Sequence, residues 1–337
     1  MMLETINKPK TVLLVNKKTK PKPSIVYDTY WKFLAERQNI FFERLTNNQH
    51  PWSRDNILND YKFTNVYRAS DRVSQYLIKD VIYNGSQEPN ELFFRIILFK
   101  IFNRISTWEF LKKELGDITF ADYSFEKYDR LLSKLLQSKL PIYSAAYIMA
   151  SGRSFFGYIK KHQNHLKLIE TMIKSELPYK VQGSKSMEEV FNLLLSFPTI
   201  GEFLAYQYTI DMNYSILTNF SEMEFVKAGP GAKDGITKCF KDFGDYSYED
   251  IIKMMADNQH EEFERLGISF QNLWGRDLQL IDCQNVFCEV DKYSRMFHPE
   301  INGLSQRTRI KQKFNLTKKK QIDYFFPPKW GLNNLIT

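Results

Sequence analysis

Residues 225–240 read FVKAGPGAKDGITKCF, with three glycines, a proline and three lysines in sixteen positions. Glycine-rich backbone beside lysine is the usual chemistry of a phosphate cradle, so a nucleotide loop is the first reading to test. That loop needs two glycines five apart, followed by Lys and then Ser or Thr, between a buried strand and a helix. Gly231 and Gly235 are four apart, and Ile236 and Thr237 follow. No buried strand precedes them. The nucleotide-loop reading fails, and autonomous kinase activity fails with it. A turn running into a helix remains, whose free N–H groups favour an anion. Lys227, Gly229, Gly231 and Lys233 are candidate contacts to a DNA backbone; a plain helix start is the alternative.

Two polar series carry a second kind of chemistry. TNVYRASDRVSQ places Asn65, Arg68, Asp71, Arg72 and Gln75 mainly at i, i+3 and i+4 spacing on one expected helix. Such a ladder either bolts two helices together or walls a pocket. In a pocket, Asn65 and Gln75 would read a base edge and Arg68 or Arg72 would hold phosphate. In LIDCQNVFCEVDKYSR, Asp282, Gln284, Asn285, Glu289 and Asp291 interrupt an apolar helix. Uncompensated burial of such groups costs several kcal/mol, so they must be solvated, mutually bonded or facing a cleft. Cys283 and Cys288 lack accompanying histidines at metal spacing and read as packing. Neither a metal nor a cofactor is expected. His162 and His165 lie among lysines and read as exposed helix positions.

Just upstream, LLLSFPTIGEFLAYQ (193–207) resembles the helix-hairpin-helix of the DNA glycosylase superfamily, usually L-P-G-[IV]-G-x-x-x-A. Phe197, Pro198, Ile200, Gly201 and Ala205 fall on the pattern, while Thr199 replaces the first glycine. The resemblance implies a sharp turn whose N–H groups meet a DNA phosphate at Thr199 and Gly201, with Gly201 taking a backbone shape that a Cβ would obstruct. It also implies a catalytic carboxylate roughly 20 residues past the second glycine, where NFSEMEF supplies Glu222 and Glu224, 21 and 23 residues past Gly201. A carboxylate there would stabilise the sugar cation of N-glycosidic cleavage and align water. An acidic first helical turn is the competing reading. Asp211, in YTIDMNYS, is a further carboxylate candidate. The imine-forming lysine of bifunctional glycosylases and the four-cysteine iron–sulfur loop have no counterpart.

Three further stretches, FTNVYRASDRVSQYLI, ELFFRIILFKIFNRISTWE and LQLIDCQNVFCEVDKYSR, together with the hairpin and FVKAGPGAKDGI, look like the helical family fused to phage 5-hydroxymethyluracil DNA kinases. That family is related to the α-glutamyl/putrescinyl-thymine pyrophosphorylases. The resemblance spans roughly residues 27–310 and implies an all-α, glycosylase-like fold acting on modified pyrimidines in DNA, without the kinase half. It favours a cleft position for Asp282, Gln284 and Asn285.

The elements that must position these residues read mostly at helical spacing from Tyr27 onward, with Asp28 placed to cap the first helix. The expected fold is all-α and helix-hairpin-helix glycosylase-like, with two packed lobes about a cleft and a division near residue 180. Residues 1–24, with six lysines against Glu4, read as a flexible basic arm. A basic tail covers 311–337; residues 305–337 carry +7 of the total +8, leaving 25–304 at −4. Two basic ends suit phosphate attraction. The apolar patch Val12–Val15 is too short for a signal peptide, and no run is long enough for a membrane span. Three cysteines point to a reducing cytoplasm. The leading expectation is a monofunctional glycosylase that flips a modified pyrimidine out of double-stranded DNA, serving repair or attack on phage genomes. The alternatives are a transferase in which an amine or amino acid displaces pyrophosphate from 5-pyrophosphoryloxymethyluracil, and a silent DNA-binding module.

Overall fold

The computed structural model describes residues 13–46, 49–316 and 322–336. Helix accounts for 54% of the chain, and the only sheet among the described residues pairs β1 (Lys22–Pro23) with β2 (Phe240–Asp242). The all-α expectation holds.

The chain opens with α1 (Val26–Leu45), then a short α2 (Asn56–Asp60) and α3 (Arg72–Tyr76), which continues as a π-turn over Leu77–Ile82. Next come α4 (Pro89–Phe102), α5 (Ile105–Leu115), α6 (Phe125–Gln137), α7 (Arg153–Phe156), α8 (Lys161–Lys174) and α9 (Leu177–Gly183). The rest is α10 (Met187–Leu195), α11 (Glu202–Asn213), α12 (Pro230–Cys239), α13 (Tyr248–Asp257), α14 (Gln259–Arg265) and α15 (Leu280–Phe297).

Two buried helices organise the packing. α4 is buried on all sides from Leu92 to Phe102, with Leu92, Phe93, Phe94, Ile96, Ile97 and Leu98 fully buried and Arg95 and Lys100 as its two buried cations. It packs on α8, α9 and α11. α15 packs on α1, α12 and α13. The contact between α12 and α15 is backbone against backbone. A Cβ on Gly235 would stand 2.0 Å from the Phe287 carbonyl oxygen, and one on Gly231 would stand 3.1 Å from Cys288 Sγ. Gly229 faces Phe203, whose Cδ2 would be 2.9 Å from an added Cβ. The glycines of the 225–240 stretch are thus needed for close packing.

A short turn joins α10 to α11: α10 is capped by Ser186, which accepts from Glu189 N at 3.1 Å, and Gly201 precedes the first residue of α11. Its strain lies two residues earlier than anticipated. Thr199 has φ +70°, a left-handed conformation costing about 1–2 kcal/mol for a residue with a Cβ. Gly201 is extended at φ −88°, and a Cβ there would meet nothing, so the expected obstruction is absent.

The single helix expected over 65–75 is also corrected. Asn65–Tyr67 lie ahead of a 3-10 turn, Arg68–Ser70, and the α-helix begins only at Arg72. Asp71 explains the break: its carboxylate turns back to accept from Asn65 N at 2.8 Å. Nor does Asp28 cap α1; it pairs with Arg265 at 2.5 Å, while Ser24 Oγ accepts from Val26 N. His162 and His165 are buried. His162 contacts Asp129 at 2.7 Å, and His165 bridges Tyr143 and the Ala150 carbonyl at 2.8 Å each. Burial pushes His165 down to about 4, leaving it neutral at pH 7.

Residues 13–24 lie along the body: Leu14 N donates to Asp257, Thr19 N to Asp245, and Lys17 Nζ to Asp250. Near the other end, Phe326 is fully buried. No helix among the described residues is long and apolar enough to cross a membrane.

Candidate functional site: a linked pair of carboxylates in a cationic cluster

Asp211 is fully buried on α11, with Gln207 one turn before it and Tyr214 one turn after, all on one face. Two cations from other elements meet it. The 3-10 turn delivers Arg68, whose Nη2 lies 2.9 Å from Asp211 Oδ1, while α4 delivers Lys100, whose Nζ lies 3.2 Å from Oδ2. Arg68 also donates to Gln207 Oε1 (3.0 Å) and Tyr214 Oη (3.2 Å). Lys100 donates to Asn103 Oδ1 (3.1 Å) and sits 4.7 Å from the Tyr147 ring centre. Tyr147 in turn stacks on Phe203 at 5.5 Å. Both Asp211 oxygens are within ion-pair distance of a cation, yet neither accepts a hydrogen bond of ordinary geometry. Burial disfavours charge on both cations. Asp211 overcomes this for Arg68, whose proton is held more tightly than usual, but not for Lys100, which is shifted downward.

Glu222 is the second carboxylate, 5% exposed and 2.9 Å from Arg276 Nη2. The Arg276 guanidinium lies 3.8 Å over the Trp330 ring, and the Trp330 ring meets Tyr214 edge-on at 5.6 Å. Those contacts join the two centres, because Tyr214 also accepts from Arg68. Lys329 is an exposed residue, yet its Nζ donates to the carbonyls of Ser215 (3.1 Å) and Thr218 (2.7 Å). Burial raises the Glu222 carboxyl, against Arg276, Lys329 and Arg68. Burial likewise lowers Lys329 to about 8, against the pull of Glu222. Asp282 accepts from Arg68 N at 2.9 Å and is pushed up to about 7 by burial and by Glu222. Tyr206, fully buried beside Glu222, has an Oη with no partner. Four cations therefore face two carboxylates and a third acid titrating near neutrality. The surplus positive charge sits where water screens it poorly, which is an arrangement that favours a polyanionic group.

The sequence candidates divide accordingly. Glu222, Asp211, Arg68 and Asp282 come together. Glu224 is exposed and apart from them. Asn65 is spent on structure, accepting from Arg37 at 2.5 Å and donating to the Ser70 carbonyl at 2.8 Å. Gln75 is spent likewise, between the Ala69 carbonyl and Phe325 N. Burial raises Asp71 to about 6, and its role is the backbone clasp on Asn65. Arg72 is exposed. Asn285 donates to the Asn65 carbonyl at 2.9 Å, pinning α15 to the 64–66 segment. Gln284 is buried beside Gly229. At the surface, Lys227 lies 5.6 Å over Phe191 and Lys233 5.6 Å over Tyr248.

Lys100, Tyr147, Gln207, Tyr214, Arg276, Lys329 and Trp330 were not singled out from sequence. Lys100 did leave a signal, a lysine inside an otherwise apolar helix, which demands a buried partner. Arg276, Lys329 and Trp330 left none, because they join the site from loops far along the chain.

Residues 24–303 match the family described as 5-hmdU DNA kinase, helical domain. The chain belongs to that family. It is similar to the 5-hmdU DNA kinase of Bacillus phage SP10, with 28% identity over 332 residues, covering 92% of this chain and 51% of that relative. The chain therefore spans about half the relative's length. No solved structure matches it. These findings overturn the glycosylase expectation. The relative carries a kinase name, a group-transfer activity, and with it the readings of a hydrolase, an abasic product and base flipping for excision are withdrawn. The features that misled were the hairpin resemblance at 193–207 and the carboxylates Glu222 and Glu224 placed 21 and 23 residues after Gly201.

Proposed function

We propose that this chain is a DNA-modification transferase domain that works on a 5-hydroxymethyluracil-type base activated by a phosphate ester. The observation that supports it most is the surplus of positive charge around Asp211 and Glu222, contributed by Arg68, Lys100, Arg276 and Lys329. Family membership supports DNA as the partner and the hydroxymethyl group as the point of chemistry. In the reaction, an amine or amino acid nitrogen attacks the exocyclic methylene carbon and a C–N bond forms. The C–O bond to pyrophosphate breaks, and pyrophosphate leaves with the bonding pair. Arg276 and Lys329 at the rim, with Arg68 and Lys100 below, stabilise the charge gathering on that leaving group. Glu222 takes the proton released by the incoming ammonium; burial raises its pKa and so makes it a better base than an ordinary glutamate.

The test is nucleoside mass spectrometry after incubating the protein with DNA bearing 5-pyrophosphoryloxymethyluracil and a set of amines. A heavier nucleoside with one equivalent of pyrophosphate released is expected. Phosphate transfer from ATP to 5-hydroxymethyluracil DNA, with no displacement, would replace this reading by phosphoryl transfer. Indifference to both substrates would sink it.

A further inference from the structure

Beyond α15 the chain carries a second cationic pattern, independent of the cluster. Residues 306–316 contain no helix or turn, and Lys313 bridges antiparallel to Tyr61. Backbone bonds pin the segment to the body: Lys62 N to the Gln312 carbonyl at 3.0 Å, and Phe314 N to the Asp60 carbonyl at 2.8 Å. Arg295 Nη1 adds a third, to the Arg309 carbonyl at 3.1 Å. In extended chain, alternate side chains face opposite ways. The even-numbered side holds buried Ile310 and half-buried Phe314 together with exposed Thr308 and Gln312, while Arg307, Arg309, Lys311 and Lys313 are all exposed. Four cations thus recur at every second residue, a spacing of about 6.8 Å where chain is extended, and Lys313 Nζ lies 4.2 Å from the centre of the Tyr61 ring. Among the described residues, none of the four enters an ion pair. A row of like charges fixed to a rigid body and left without acids costs self-repulsion, which a linear polyanion would relieve. At one end of the row, Phe314 is stacked with His50 at 5.9 Å and lies 6.0 Å from Trp52, aromatic surface of the kind on which bases stack.

We propose that Arg307, Arg309, Lys311 and Lys313 form a track for the phosphodiester backbone of DNA. This rests on DNA being the partner of the site described above, and it supplies the sequence-independent part of that binding, which the buried cluster is too enclosed to provide.

The experiment measures binding of unmodified fluorescent DNA to the full chain by anisotropy across a salt series. It compares the wild type, the Arg307→Gln/Arg309→Gln/Lys311→Gln/Lys313→Gln variant and an equal-charge control, Lys113→Gln/Lys127→Gln/Arg130→Gln/Lys180→Gln. Each lost phosphate contact lowers the slope of log K against log salt by about 0.9 on duplex. The track variant should therefore lose three to four units of slope, and the control close to none. Equal slopes in track and control variants would overturn the track. So would unchanged affinity of the track variant for DNA together with lost binding to anionic lipid vesicles. Should the quadruple variant misfold, Arg307→Gln and Lys311→Gln singly must each remove about one unit. Preference for pyrophosphoryl-bearing over plain DNA is read separately, so failure of the transferase reading leaves the slope result intact.

Discussion

Two buried aspartates in this molecule each sit between two cations, and they do different things. Asp291 on α15 takes Lys238 of α12 at 3.0 Å and Arg295 one turn along its own helix. Lys238 also donates to the Asp291 carbonyl at 3.1 Å, so the triad closes on itself across one helix pair, beside the glycine contact that brings those helices together. Asp211 takes Arg68 and Lys100 from two different elements, and its partners reach onward through Tyr214, Trp330 and Arg276 to a second carboxylate. Both triads hold one cation more than their single acid cancels, but the first keeps its surplus within the contact of α12 and α15, with Arg295 partly exposed to water. The second carries excess positive charge outward to a rim. A buried ion pair confined to one helix contact serves as a bolt. One assembled from segments spread over more than 250 residues of chain is where we propose that the substrate binds.

The comparison can be broken in four ways, beginning with the largest effect. Asp291→Ala should cost about 3–5 kcal/mol in urea unfolding, because buried Lys238 and half-buried Arg295 lose their shared carboxylate. The folded fraction should still distinguish pyrophosphoryl-bearing from plain DNA. Loss of that discrimination would make the bolt part of the site.

Lys329→Gln should reduce transfer by about tenfold to a hundredfold, the worth of one charge-assisted contact of roughly 1.5–3 kcal/mol, with little change in unfolding. Its pH dependence sharpens the point. Lys329, lowered to about 8, loses its charge as pH rises through 8, so turnover should fall along that limb. Lys329→Arg, which stays charged, should move the limb upward; an unmoved limb assigns the titration elsewhere.

Asp282 gives a stability test of intermediate size. Its folded value of about 7 lies above its ordinary value, so its contribution to stability is fully present at acid pH and is lost as pH rises toward 7. Asp282→Asn should therefore flatten the difference between unfolding measured at pH 5 and at pH 8, compared with the wild type. A difference as steep as the wild type's would contradict the burial that raises it.

The smallest effects belong to the exposed candidates. Glu224→Gln and Arg72→Gln should each stay within about 0.5 kcal/mol in stability and leave transfer unchanged. A tenfold loss from either would mean that the site extends to that surface.

Much of the scaffold was legible before any coordinates, and the reason is physical. Helices such as α6 and α10, and the hairpin joining α10 to α11, are written in residues close in sequence, as apolar spacing, Ser caps and turn chemistry. Asp282 was legible as a charge in an apolar helix, which must find a partner; Arg68 as a rung of a polar ladder; and Glu222 and Asp211 from their places after the hairpin. Local pattern could not say which partners they would find. Asn65 and Gln75 look as polar as Arg68, and only the fold shows that their hydrogen bonds are consumed by neighbouring backbone. The glycines of 225–240 resemble a phosphate turn until α15 is seen lying against them.

What the amino-acid order determined alone is therefore the helical class, the hairpin and the presence of charges that could not stay unpaired, because those depend on interactions within a few turns of chain. Tertiary structure decided which charges were spent and which kept a surplus. Arg276, Lys329 and Trp330 lie in loops with no periodic signal, and only long-range packing brings them against Glu222.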